Sequence, residues 1–327
     1  MPNILKKLNS FTAMRVKYGS YAVIASGGAD GSIAGYFASG STGVSSLSST
    51  EKLTFSTEGI AASPSALTVT RYAAAGFANS GVAGYVAGGY LVASINKMTF
   101  PADTVGSLSD TLTSARYAVS GMANSGVAGY AAAGDDGTAT QLNGIDKITF
   151  SNDSKTTLSA LMTNRGDARG GFANSGVAGY YAGGGIDVSP NRIATIDKIT
   201  FPADTLALLS SPTILTAAKG SINNGMANNG VAGYVAGGHT QVNTIDKIAF
   251  PSDTKSSLSP ALAIAVYLAS SAANSGVAGY IHRGTDGSGG LNVVEKVTFP
   301  TDTMSVVTAQ LTVARYAAVG FANSGTL

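Results

Sequence analysis

Two histidines, a row of carboxylates and a row of lysines are the residues in this chain whose types could do chemistry. A zinc hydrolase needs imidazoles spaced so that two of them reach one ion, as in H-E-x-x-H. His239 and His282 each stand outside any such pattern, so a packed or solvated ring is the expected state of both. Acid–lysine neighbours recur at Glu51-Lys52, Asp146-Lys147, Asp197-Lys198, Asp246-Lys247 and Glu295-Lys296. On a strand, adjacent side chains point to opposite faces, so the two members of such a pair cannot converge on one substrate. The lysines are expected to project from the sheets and keep them apart in solution. Asp135-Asp136-Gly137 and Asp286-Gly287 lack the oxygen series of a calcium loop, and neither G-x-x-x-x-G-K-[ST] nor G-x-S-x-G is found. The expectation is therefore a protein that is not an enzyme, with no catalytic residues, no cofactor and no metal.

What positions these residues is a repeat. The twelve residues ANSGVAGYVAGG at 78–89 return almost unchanged at 123–134, 173–184 and 227–238. Around them, Tyr36, Tyr85, Tyr130, Tyr180, Tyr234 and Tyr280 each follow a glycine, and Lys52, Lys97, Lys147, Lys198, Lys247 and Lys296 keep step with them. One unit, Tyr72 to Arg116, reads as four short strands. Tyr72–Ala78 and Val82–Ala87 flank Asn79-Ser80-Gly81, a three-residue hairpin turn with glycine at its left-handed position. Ile95 to Phe100 alternates apolar and polar residues, as a strand with one buried face does. Pro101-Ala102-Asp103-Thr104 is turn chemistry, and a weaker fourth strand carries Leu108 and Leu112. Four strands in about 45 residues is the signature of a propeller blade.

The fold is thus expected to be all-β, a β-propeller of four-stranded antiparallel blades: six, with seven and an incomplete or shared blade as the alternative. Residues 1–17 read as an N-terminal strand or closure segment. The blades fall at about 18–71, 72–116, 117–165, 166–219, 220–267 and 268–315, and 316–327 is a closing strand. A strand at Tyr21–Ser26 would give the first unit an innermost strand of its own. An oligomer in which the spare strand pairs with a second copy is the other arrangement. Arg71, Arg116, Arg165 and Arg315, with Lys219 at the matching place, are expected to be buried near the axis against a carbonyl or a carboxylate.

The apolar strand, the tyrosine, the Gly-Gly pair, the variable loop and the strand with a central acid resemble the kelch repeat. That resemblance covers most of residues 18–315 and implies a four-stranded propeller blade. It departs from kelch in having no tryptophan; Phe55, Phe100, Phe150, Phe201, Phe250 and Phe299 take the aromatic position. The near-identity of the copies and their Ala/Gly/Ser richness are also similar to repeat proteins of tailed bacteriophages, particularly those infecting cyanobacteria. This implies a virion protein that contacts other virion structural proteins and host cell-surface polysaccharide.

Composition narrows the partners. The 327 residues include 42 glycines and no cysteine, with 12% charged and a formal net charge of +2. Without a basic tract, a nucleic-acid role lacks its electrostatic footprint. The uncharged run Ser256 to Ile281 contains Pro260 and Asn274 and is half repeat, which argues against membrane insertion. The start shows no apolar run of a secretory signal. Antiparallel order puts the first and third turns of each blade on one face, where Asn-Ser-Gly and Asp recur, and the varied loops on the other. Those varied loops are the expected binding surface, with Tyr90, Asp135, Asp136, Asp187, His239, His282, Arg283 and Asp286 as candidates. The alternative is a lectin-like propeller that is extracellular or on a bacterial cell surface.

Overall fold

A computed structural model describes residues 34–138, 141–186, 191–222, 225–239 and 242–323. They form a six-bladed β-propeller: six four-stranded antiparallel sheets, with no helix among the described residues. In blade 2 the strands are Ala75–Asn79, Ala83–Ala87, Ser94–Thr99 and Thr104–Thr111, here called A to D from the axis outward. Strands A and B are buried on both faces because each blade is covered by two others, which is why they are built from Ala, Gly and a few aromatics. Strand D alternates and is largely exposed.

Closure joins the two ends of the chain. Val319–Ala322 pairs antiparallel with Ala34–Ala38, placing Phe321 opposite Tyr36, and so supplies strand A of blade 1. The described residues therefore make six complete blades, and the C-terminal strand pairs within the ring. The strand expected at Tyr21–Ser26 and the segment 1–17 lie outside the described residues.

At the axis the six A strands approach backbone to backbone. Gly320, Gly76, Gly121, Gly171, Gly225 and Ser271 occupy one position in the six blades, and a Cβ on Gly121 would lie 2.3 Å from the carbonyl oxygen of Gly76. The same collision recurs around the ring, at 2.0 Å from Gly171 to Gly121 and 1.8 Å from Gly320 to Ser271. Only blade 6 has a side chain here, and Ser271 Oγ donates to the Gly225 carbonyl at 2.7 Å. Near this waist the axis holds a cavity of about 20 Å3, room for about one water. On the loop side, backbone N–H groups of Ala73, Val119, Ala168, Ile222, Leu268 and Ala317 each donate to a neighbouring blade, completing a second ring.

Between blades, tyrosine, lysine and acid form one recurring joint. Tyr85 Oη donates to Asp153 Oδ1 at 2.8 Å and Lys97 Nζ reaches Oδ2 of the same carboxylate at 2.6 Å, so strands B and C of blade 2 grip the C–D turn of blade 3. Asp103, Asp204, Asp253 and Asp302 take the same role, and Glu58 closes the ring by accepting from Tyr280 and Lys296. Phe150 of blade 3 stacks on Tyr85 with centroids 5.2 Å apart, and Phe55, Phe100, Phe201, Phe250 and Phe299 do likewise. Burial first, then the neighbouring carboxylate, raises each of these phenols above its ordinary pKa. The expectation that the lysines hold sheets apart is corrected. Each reaches the next blade's carboxylate, five of them from beside a tyrosine ring, and so binds the sheets together.

Candidate functional site

Each blade also buries a cation against a polar residue of its C strand, an acid in five of the six. Arg116 meets Asp146 at 2.8 Å, Lys219 meets Asp246 at 2.8 Å and Arg315 meets Glu51 at 2.7 Å. Arg71 has Asn96 in place of an acid, and is satisfied by Asn96 Oδ1, Ser94 Oγ and the carbonyls of Gly88 and Ser94. Desolvation lowers the Arg71 guanidinium to about 10. The expected burial of Arg165 is corrected. Arg165 is exposed, Gly166 stands at the position of Arg116, and Arg169 fills the vacated space to reach Asp197 at 3.3 Å. In blade 6, where Val266 has replaced the cation, Arg283 comes from the far end of strand B and meets Glu295 at 2.7 Å. A buried carboxylate without a partner is costly, so the cation is kept while its source moves.

These pairs remove two residues from the loop surface. Arg283, expected to bind a ligand there, points at Glu295. His282, also expected there, ends strand Ala278–His282 in the core, 3.2 Å from Ser270 Oγ and 2.8 Å from the Leu291 carbonyl. The placement follows from chain geometry: both lie before the turn at Gly284, so the strand has not yet left the sheet.

The remaining candidates among the described residues do sit on the loop face. Asp135 and Asp136 hold their own turn, accepting from the N–H groups of Gly137 and Thr138, and Asp286 does the same for Ser288. Those hydrogen bonds also hold the Asp286 carboxyl below its ordinary value. Tyr90 is 46% exposed and stacks on Tyr72, with Tyr117 tilted beside it. Asp187 lies outside the described residues. Among the described residues no group of three or more His, Cys, Asp or Glu is placed to hold a metal ion, and no helix is long and apolar enough to cross a membrane.

Residues that sequence reasoning passed over define a recess on this face. In each blade, the residue leading into strand A bonds through its backbone to the start of the B–C loop: Tyr72 to Tyr90, Tyr117 to Asp135, Asp167 to Gly185, Gly220 to His239, Tyr267 to Thr285 and Tyr316 to Ser41. Four blades place tyrosine there. Blades 4 and 5 place Asp167 and Gly220, and a recess of about 390 Å3 opens over them, lined also by Gln141, Ile186, Asn191, Arg192, Ser221 and His239. Arg192 Nη2 contacts His239 Nδ1 at 2.5 Å. Guanidinium only donates, so Nδ1 accepts and the ring proton sits on Nε2. Burial and the Arg192 charge lower the His239 pKa, leaving the imidazole neutral at pH 7. The signal was present in the alignment of the units, where Asp167 and Gly220 interrupt a column of tyrosines.

The opposite face is uniform because its turns bond to one another. Backbone N–H groups of Ser80, Ser125, Ser175 and Asn229 donate to side chains of the next turn, and Asn Oδ1 atoms accept from the following glycine N–H, as Asn79 does from Gly126. Beyond them Val82, Val127, Val177, Val231 and Val277 are each about half exposed. No protein-family model matches the chain, and no curated protein is significantly similar to it.

Proposed function

We propose that this propeller is a non-enzymatic structural and recognition component of a phage virion, a kelch-like ring on the tail, fibre or capsid surface. Its valine-studded face turns to other virion proteins, and its loop face turns to the host surface. The observation that carries the reading is the division of labour between the faces. The turns of one face are held by inter-blade bonds and leave an exposed apolar circlet, while the other holds the recess and its tyrosines. The carboxylates of the sheets and their C–D turns support the non-catalytic part. Those of the C–D turns are held by tyrosine and lysine, and those of the C strands by buried cations. Association with the phage rests on the resemblance of the repeats. Mass spectrometry of purified particles tests it: the chain is expected among the virion proteins, and its absence sinks the virion role.

The Tyr72–Tyr90–Tyr117 group, with Tyr90 exposed between two half-buried rings, also favours a second reading, a lectin-like propeller on a bacterial surface. Surface labelling of intact cells that captures the chain where no phage is produced would favour that reading over the virion.

A further inference from the structure

We infer that the recess over blades 4 and 5 binds a neutral sugar residue, an inference that rests on the recognition role proposed above and names its ligand class. The recess exists because Asp167 and Gly220 replace tyrosine at two adjacent positions of a six-fold ring. Its volume lies within the range of pockets that take small ligands.

The chemistry of the lining selects among ligands. Asp167 carries acceptors, Arg192 and His239 Nε2–H carry donors, and Asn191 and Ser221 carry both. A sugar hydroxyl donates and accepts at once, and neighbouring hydroxyls on one ring suit a lining in which both kinds of group alternate. The single positive charge of Arg192 is balanced by the negative charge of Asp167, and His239 is neutral, so no net charge favours an anion or a cation. An apolar peptide anchor would find only Ile186 among the lining side chains. The contact with Arg192 and the edge-on Tyr267 ring, 5.1 Å away, fix His239 before a ligand arrives.

The test uses the column of tyrosines itself. Gly220 does not lie at positive φ, and the atoms nearest to a Cβ there belong to the flexible Arg192 side chain, the first at 3.2 Å. Gly220→Tyr therefore restores the residue of the other blades and fills the recess with the fold intact. Saturation-transfer NMR of the full chain would be run with glucose, galactose, mannose, N-acetylglucosamine and galacturonate, each at millimolar concentration. At least one neutral sugar is expected to bind, and Gly220→Tyr and Arg192→Ala each to weaken it tenfold or more with unchanged thermal unfolding. Equal binding by wild type and Gly220→Tyr overturns the site while leaving a recognition role elsewhere on the ring. Tighter binding of galacturonate than of galactose overturns the neutral class. No binding of any sugar, with the chain still found in particles, overturns the inference and leaves the virion role standing.

Discussion

The imidazole of His282 is held neutral by burial among Ser270, the Leu291 carbonyl and the Phe37 ring, which lowers its pKa to about 4 despite the hydrogen bond that Nε2–H donates to that carbonyl. The unfolded chain takes up this proton near pH 6.5, so stability is full above that value and is lost as pH falls toward 4. The contribution is about 3 kcal/mol across that window. Urea unfolding at pH 7 and at pH 4.5 is expected to show a smaller acid loss for His282→Gln than for wild type; equal losses would place the sensitivity in other groups. Arg283 makes a complementary case. Arg283→Gln leaves Glu295 buried without its cation and is expected to cost about 3–5 kcal/mol, read as a lower urea midpoint at pH 7. Arg283→Lys should recover part of it.

Strands were easier to read than their partners. The period, the Asn-Ser-Gly hairpins and the alternation of strand C are local patterns, so the propeller and its four strands per blade were legible in the sequence. Which acid each lysine meets was not legible, because Lys97 and Asp153 are 56 residues apart and the repeat offers an acid in its own unit as readily as one in the next. Arg169 was missed for a related reason: one shifted residue, Gly166, moved the cation to the strand itself. The recess was hidden because attention to variable loops overlooked the fixed column beside them, where a missing ring matters more than a new side chain. At the same scale, the innermost strands explain their glycines by contact. Gly121→Ala would drive a methyl group into the Gly76 carbonyl and is expected to lose about 1–3 kcal/mol. Val82→Ala on the exposed rim should change stability by less than about 0.5 kcal/mol. Thermal unfolding of the two variants distinguishes a filled axis from an open one.

For the molecule as a whole, the ring depends on its last strand. Removing 316–327 takes away strand A of blade 1 and uncovers Tyr36 where Phe321 stacked at 5.2 Å. The truncated chain is expected to unfold at lower temperature and to associate through the exposed edge; the elution volume of the full chain on size-exclusion chromatography and an unchanged thermal midpoint would show that closure is dispensable. The two kinds of ionic contact also differ in what they mean for the history of such a chain. If a unit is counted from the residue at the position of Arg71, which leads into strand A, the cation and its polar partner of blades 2 to 6 belong to one unit, so copying such a unit carries the match along. The joint of tyrosine, lysine and acid always spans two units, so a fresh copy fits its neighbours only while every unit keeps the same grip. Duplication is therefore chemically permitted at any blade. The glycine waist, by contrast, is fitted to six strands in backbone contact, and a seventh copy would have to spread those carbonyls apart.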